Sequence, residues 1–443
     1  MFLEKCVAEA ERAWFERNPA QRDEAKERGR APSSSRLAGA TDCVNFERNT
    51  QRAMPKQIYL DYAATTPIDP EVLRAMMPYL KKKFGNPSSL HRFGQITRVA
   101  IDDARRQVVK FLNCQEYEIV FTGSATEANN LAIFGVARTL KKKGIRPHII
   151  TTKIEHHAVL HPFKELEKEG VEVSFLAPNK EGIIEVKEIQ NAIKENTVFV
   201  SVMYANNEIG TIQPIQKIGE LLAQLNKNRK QKIYFHTDAV QAVNYLNCNV
   251  KELGVDLLTL SAHKIYGPKG VGALFVKKGT PIEPIIYGGG HEFGLRSGTE
   301  NVAGIVGLGK AIELVEKHKN DIERIKLLRD KIIDGILKIP NTKLNGSREK
   351  RLPNNVNVSI AGVEGESLVI ALDQYGIAVS TGSACSSKDL KPSHVLLAIG
   401  LSPKEAHGSL RITLGRFSTE EEIDYFLKVL PKVVKRLREI SPF

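Results

Sequence analysis

Cysteine, tryptophan and long apolar runs are all scarce in this sequence, and each shortage closes off a class of protein. The five cysteines, Cys6, Cys43, Cys114, Cys248 and Cys385, are odd in number, far apart and never spaced C-x-x-C. That pattern argues against a disulfide framework or a zinc site and points to a reducing compartment, the cytoplasm. No stretch approaches the roughly 18 apolar residues of a membrane span, so no membrane association is expected. Nor is charge massed anywhere. The formal net charge of +13 is spread along 443 residues without a basic patch interleaved with aromatics, so solubility or an acidic partner is expected before direct nucleic-acid binding. What remains, 42% hydrophobic and 26% charged, is the composition of an ordinary soluble protein long enough for two domains.

The first 53 residues stand apart. Leu3, Val7, Ala10 and Trp14 keep helical spacing, which predicts one amphipathic helix over 3–17. The polar text from Gln21 to Arg30, followed by Ala31-Pro-Ser-Ser-Ser35, reads as linker. The segment lacks the apolar core of a signal peptide, and nine carboxylates by Glu47 count against a mitochondrial presequence. Met54 is expected to open the functional chain.

From Gln57 the pattern becomes regular. Helices are predicted from about Pro70 to Lys83 and over 95–112. Strands are predicted near 118–122, 148–152, 171–176, 197–203, 232–236, 256–260 and 271–276, with helices between most of them. Such alternation implies an α/β fold with a mostly parallel sheet covered on both faces. Beyond a glycine-rich loop, Tyr287 to Thr299, helical spacing runs from Ile322 to Ile336. A smaller α+β region follows, with strands over 355–360, 377–380 and 409–414 and helices over 366–375 and 419–439.

Ligands in such sheets gather at the loops leaving the strands' carboxyl ends, and the chemically unusual residues fall there. Phe121-Thr-Gly-Ser-Ala125-Thr126-Glu127 opens a helix with hydroxyls beside free amides, which suits a phosphate or simple capping. Glu155-His156-His157 offers a flat ring, with no carboxylate or cysteine cluster to suggest a metal. Asp238 ends an apolar strand, where a buried carboxylate needs a cationic partner. Lys264, in Ser261-Ala-His263-Lys264-Ile-Tyr-Gly-Pro-Lys-Gly270, ends another, and reads either as a surface lysine or as an amine nucleophile for a carbonyl cofactor. Together these describe the needs of pyridoxal phosphate. Cys385, in Ser380-Thr-Gly-Ser-Ala-Cys385-Ser-Ser, sits among small polar residues that suit an available thiol, whereas Cys114 and Cys248 read as structural.

These stretches resemble a known family. Tyr59-Leu-Asp-Tyr-Ala-Ala-Thr-Thr-Pro67, Gly123-Ser-Ala-Thr-Glu127, Glu155-His156, Asn206-Asn-Glu-Ile-Gly210, Asp238-x-x-Gln241, His263-Lys264, Arg296-Ser-Gly-Thr299, Gly382-Ser-Ala-Cys385 and Ser409-Leu-Arg411-x-x-Leu-Gly-Arg416 are similar, in order, to the cysteine desulfurases of the NifS/IscS type. These are fold-type I pyridoxal-phosphate enzymes within the class-V aminotransferases. The resemblance implies a large cofactor-binding domain over 69–318, a small domain from 54–68 and 319–443, and an extension over 1–53. It implies that Lys264 binds the cofactor and moves the substrate α-proton, Asp238 faces the pyridine nitrogen, His156 stacks on the ring and Gln241 meets its phenolic oxygen. Ala125, Thr126, Ser261 and His263 would hold the phosphate, joined by Thr299 from a second subunit of a homodimer. Arg411, Asn207 and Asn86 would bind the substrate carboxylate. Cys385, activated by His91 or His157, would take sulfur from L-cysteine as a persulfide, leaving alanine. A scaffold for iron-sulfur cluster assembly or a tRNA-thiolation partner would receive that sulfur. No resident metal is expected, and Cys385 is the residue that would touch a transferred cluster. The alternative is a selenocysteine lyase or another aminotransferase-like enzyme.

Overall fold

A computed structural model describes residues 57–382 and 392–440. The helix expected over 3–17 and Cys385 both lie outside the described residues. The first strand, β1 (Ile58–Tyr59), belongs to a small pair described below. The next seven are β2 (Ile119–Thr122), β3 (His148–Thr152), β4 (Glu172–Leu176), β5 (Thr197–Ser201), β6 (Tyr234–Asp238), β7 (Leu257–Ser261) and β8 (Gly272–Val276). They form one sheet in the order β2-β8-β7-β6-β5-β3-β4. The run β4-β3-β5-β6-β7 is parallel throughout, while β8 is antiparallel to both β7 and β2. The reversal follows from chain length, because the stretch 262–271 is too short for the dozen or more residues of a parallel crossover.

Alternate residues of these strands enter two different cores. Ile119, Phe121, Leu258, Leu260, Ala273 and Phe275 pack on one face with α1 (Pro70–Lys81), α2 (Arg92–Leu112) and a later helix described below; Val120, Leu257, Leu274 and Val276 pack on the other. That second face is covered by α3 (Ala125–Lys142) and α4 (His157–Lys168). A side-chain period of two with both faces covered explains strands that, β4 apart, are buried at nearly every position. The first face is completed by α5 (Ile215–Asn226) and α6 (Val302–Lys317).

A separate core forms around a three-stranded antiparallel sheet of order β12-β10-β9, built from β9 (Thr342–Leu344), β10 (Asn355–Ile360) and β12 (Ser409–Thr413). It is packed by α7 (Asp321–Ile336) and the long helix at 420–440, whose Ile423, Phe426, Leu430 and Val433 are buried. Here β1 pairs in parallel with β11 (Ile377–Ala378), so Ile58 and Leu60 join this core across more than 300 residues of chain. Several boundaries depart from expectation: α2 begins at Arg92 rather than near 95, and β5 ends at Ser201 rather than 203. β6 runs to Asp238 rather than stopping at 236, because Asp238 is still in register with Thr259 of β7. The strand expected over 377–380 shortens to two residues. The helix α8 (His394–Ala398) and strand β9 have no counterpart among the predicted elements.

Candidate active site

Loops from β2, β3, β5, β6 and β7 converge on a cavity of about 380 Å³. Ala125, Thr126, His156, His157, Asn207, Asp238, Gln241, His263, Lys264 and Arg411 all line it. Ser261, Asn86 and Thr299 do not. Ser261 is buried at the end of β7, Asn86 is exposed and accepts from the Ser88 amide (2.9 Å), and Thr299 is exposed after the glycine-rich loop. His91 also stands outside the lining, with its Nδ1 capping α2 at the Gly94 amide (3.3 Å).

Lys264 leaves β7 in a single tight turn, and its Nζ donates to the carbonyls of Ala63 (2.5 Å) and Ala64 (2.7 Å). Gln241 donates to the same Ala63 oxygen (3.1 Å). The Asp61–Pro67 stretch thus wraps the lysine, a role invisible in its composition. Two residues on, Tyr266 holds a left-handed φ of 64° that costs a tyrosine strain energy. Its amide donates to Thr66 Oγ1 (2.8 Å), and its hydroxyl accepts from the Arg416 amide (2.7 Å).

Asp238 is buried, and the missing hydration pushes its pKa up. The Val240 amide (3.0 Å), Asn129 Nδ2 (2.8 Å) and the charge of Lys264 oppose that shift. Sequence reasoning missed Asn129. It lies on α3 below the 121–127 loop, and its helical spacing resembles any core position.

In that loop Ser124 caps α3, accepting from the Glu127 amide (3.1 Å), so the capping reading is realised. Capping does not consume the site, because the Ala125 and Thr126 amides precede the first intrahelical bonds and remain available to an anion. Gly272 of β8 permits the close approach: a Cβ there would lie 2.9 Å from Ser124 C.

His156 caps α4, and its Nδ1 accepts from the Ala158 amide (3.0 Å), which puts the neutral ring's proton on Nε2. Burial, with help from Lys264, pushes its pKa down to about 4. His263 is held near the same value, again chiefly by burial. Glu155 is fully buried, accepts from Thr152 Oγ1 (2.8 Å) and the Met203 amide (2.9 Å), and has its pKa pushed up to about 8 by desolvation.

The opposite wall joins Arg411, from β12 of the second core, to the 204–212 loop that follows β5 and to α8. Arg411 of β12 donates to Asp61 Oδ1 (2.8 Å) and the Asn207 carbonyl (3.1 Å), while its buried Nε has no partner among the described residues. Glu208 accepts from Ser393 Oγ; its carbonyl accepts from Asn355 (3.1 Å) and Asn357 (3.2 Å). Burial raises the Glu208 pKa to about 7, against the pull of Ser393 and Arg411. Gly210 completes this loop at φ 72°, where a Cβ would come within 2.6 Å of the Asn355 side chain. His394 Nε2 donates to the Glu155 carbonyl (3.0 Å), and burial holds its ring near pKa 4. Neither Glu208 nor His394 was singled out from sequence; α8, which presents His394, is too short to leave a periodic signal.

A buried acid beside a neutral, flat histidine ring, a lysine amine and an anion-ready helix terminus is the donor set that a phosphorylated pyridine aldehyde requires. Cys114 and Cys248, by contrast, are buried away from the cavity, with pKa values pushed up to about 12 chiefly by desolvation. They are poor nucleophiles, in keeping with a structural role.

The comparisons agree with this chemistry. Residues 58–426 match the model of the aminotransferase class-V family. Cysteine desulfurase IscS of Clostridium botulinum (strain Hall) is 55% identical over 393 residues, covering 88% of this chain and 97% of that protein. Its counterpart in Methanosarcina thermophila is 50% identical over 399 residues, covering 90% and 97%. A solved NifS-like protein superposes with a TM-score of 0.80 at 38% identity, covering 86% of this chain and all of that one, and a structure described as SspA in complex with cysteine gives 0.71 at 36%, covering 82% of this chain and all of that one. The chain belongs to the aminotransferase class-V family of pyridoxal-phosphate-dependent enzymes and, within it, to the cysteine desulfurases.

Proposed function

We propose that this chain converts L-cysteine to L-alanine and passes the sulfur through a persulfide on Cys385. The observation that carries the reading is the meeting of Lys264, Asp238 and Arg411 on one cavity. Bound pyridoxal phosphate supplies an electron sink that makes an amino acid's α-proton acidic. The protein's own residues do the rest. Lys264 anchors the cofactor and then moves the α-proton; its Ala63 and Ala64 contacts keep the amine in the cavity. Asp238 takes the pyridine-nitrogen end, His156 covers the ring, and Gln241 meets its phenolic oxygen. Ala125 and Thr126 hold the phosphate with His263 and Ser261.

Arg411 orients the substrate carboxylate with its planar fork, assisted by Asn207, whose carbonyl holds the guanidinium (3.1 Å). Cys385 Sγ then attacks the substrate sulfur. The S–S bond forms as the Cβ–S bond breaks, Cβ gains a proton, and alanine leaves. Sulfur is oxidised to the sulfane level while carbon is reduced, so no outside oxidant is needed. A thiol or an acceptor protein later removes the sulfur. We assign that acceptor to iron-sulfur cluster assembly or tRNA thiolation, on the strength of the Gly382-Ser-Ala-Cys385 motif.

The active form is proposed to be a cytoplasmic homodimer in which Thr299 completes the partner's phosphate site. Phe84, Leu90, Phe93, Ile96 and Val99 form an exposed apolar stripe along the start of α2, the kind of surface a second copy covers. A fully active monomer in sedimentation would overturn the dimer. Among the described residues no helix is long and apolar enough to cross a membrane. The same reading groups 54–68 with 319–443 as the small domain and 69–318 as the large one, which is supported by Ile58 and Leu60 packing with residues from 325 to 434.

Alanine formation from L-cysteine with a thiol reductant tests the central claim. Cys385→Ala is expected to abolish turnover while the bound cofactor's absorption stays intact. Undiminished alanine formation would favour a lyase acting by direct elimination, as in a selenocysteine lyase.

A further inference from the structure

Asp238 and Asn129 form a buried pair that the proposed chemistry leaves unexplained. Asn129 lies in the second turn of α3, fully buried, and its Nδ2 donates to Asp238 Oδ2 at 2.8 Å. The other carboxylate oxygen accepts from the Val240 amide at 3.0 Å. The orientation of the asparagine is informative. A protonated Asp238 would offer a hydroxyl, and the Asn129 carbonyl would be its natural acceptor; an ionised Asp238 can only accept, and the amino group is the natural donor. The observed arrangement is the one suited to the ionised acid. Asn129 Oδ1, meanwhile, is buried without a partner among the described residues although the residue lines the cavity, so the amide is committed to Asp238 at the expense of its own carbonyl.

We propose that Asn129 is a positioning residue for the cofactor: it fixes the Asp238 carboxylate in its ionised form and in the orientation that meets a protonated pyridine nitrogen. The proposal rests on the role given above to Asp238. The titratable groups near Asp238 are Lys264 beyond β7, Glu155 and His156 beyond β3, and His263. Lys264 favours the ionised acid and Glu155, when charged, opposes it. Burial, the largest influence, pushes toward the neutral form, so removing one of two observed donors shifts the balance against the charge.

Asn129→Leu removes the donor at similar volume. Asn129→Asp is nearly isosteric and replaces the donor with an acid that must compete with Asp238 for a proton, so it keeps the test open if the leucine variant folds poorly. Each full-length variant, together with Asp238→Asn, is loaded with pyridoxal phosphate and compared with wild type by the equilibrium constant for cofactor release and by the pH at which the bound cofactor's absorption band changes. Both Asn129 variants are expected to release the cofactor about tenfold more readily, the effect of losing one hydrogen bond to a charged group. Their absorption titrations should move in the same direction as that of Asp238→Asn. A purely structural asparagine would lower thermal stability without moving the titration. If the Asn129 variants titrate and bind as wild type while Asp238→Asn does not, this proposal is wrong and the role of Asp238 stands. If Asp238→Asn also behaves as wild type, both fall.

Discussion

The wall of the cavity built on β2, β3, β6 and β7 and the wall built from Arg411 of β12 with the 204–212 loop handle charge in opposite ways. On the first, burial holds His156 and His263 neutral near pKa 4 and Glu155 protonated up to about 8. The result is a flat, largely uncharged slot with Asp238 at one end and Lys264 beside it. On the second, Arg411 presents a planar cation whose Asp61 and Asn207 contacts leave Nε unpartnered among the described residues. The first wall suits a ring that stays; the second suits a carboxylate that comes and goes. Damage to the two walls should therefore separate in experiment, with cofactor retention reporting on one and substrate affinity on the other.

Arg411→Lys should give the largest effect that separates them. A lysine keeps the charge but loses the fork that can meet Asp61, Asn207 and a carboxylate at once. The Michaelis constant for L-cysteine is expected to rise roughly 10- to 100-fold, the range for losing one or more charge-assisted hydrogen bonds. Cofactor content, read from the absorption band, should not change. Equal loss of cofactor and substrate binding would mean that the walls are not independent and that Arg411 holds the site together as a whole.

This division also explains how much could be read from the sequence. The strands of the large sheet are apolar on both faces and end in residues that do not belong in a core, so Asp238 and Lys264 announced themselves against their backgrounds. The antiparallel turn of β8 followed from a loop too short to cross over, a signal present in the sequence but not used. The other wall was far less legible beyond its motif. Asp61 reaches Arg411 across 350 positions through the β1–β11 pairing, and no local periodicity reports a contact of that range. Glu208 and His394 gain their buried surroundings only when the 204–212 loop meets β10 and α8. Asn129 is hidden for a different reason: its spacing is that of a core position on α3, and nothing local says that the core there holds a carboxylate.

A smaller effect would sharpen the comparison by placing a buried acid of each wall on the pH scale. Burial is the main cause of both shifts; Ser393 and Arg411 hold Glu208 back to about 7, while the Met203 amide and Thr152 hold Glu155 back to about 8. Because both lie above the ordinary value of 4.5, the folded chain keeps a proton that the unfolded chain has already released as pH rises. Wild-type stability attributable to each group is thus fully present below pH 4.5 and falls above it, by at most about 1.4 kcal/mol per pH unit, until the folded pKa is passed. Glutamine mimics the protonated acid and does not titrate; at position 155 it can still accept from Thr152 and Met203 through Oε1. Urea denaturation of Glu155→Gln, Glu208→Gln and wild type between pH 5 and 9 should therefore show each variant gaining on wild type as pH rises. The gain should level off near pH 7 for Glu208→Gln and near pH 8 for Glu155→Gln. A flat difference for both would mean that neither carboxyl is kept protonated. A levelling-off for Glu208→Gln that moved to higher pH in an Arg411→Lys background would mean that the guanidinium, and not burial alone, sets where Glu208 titrates.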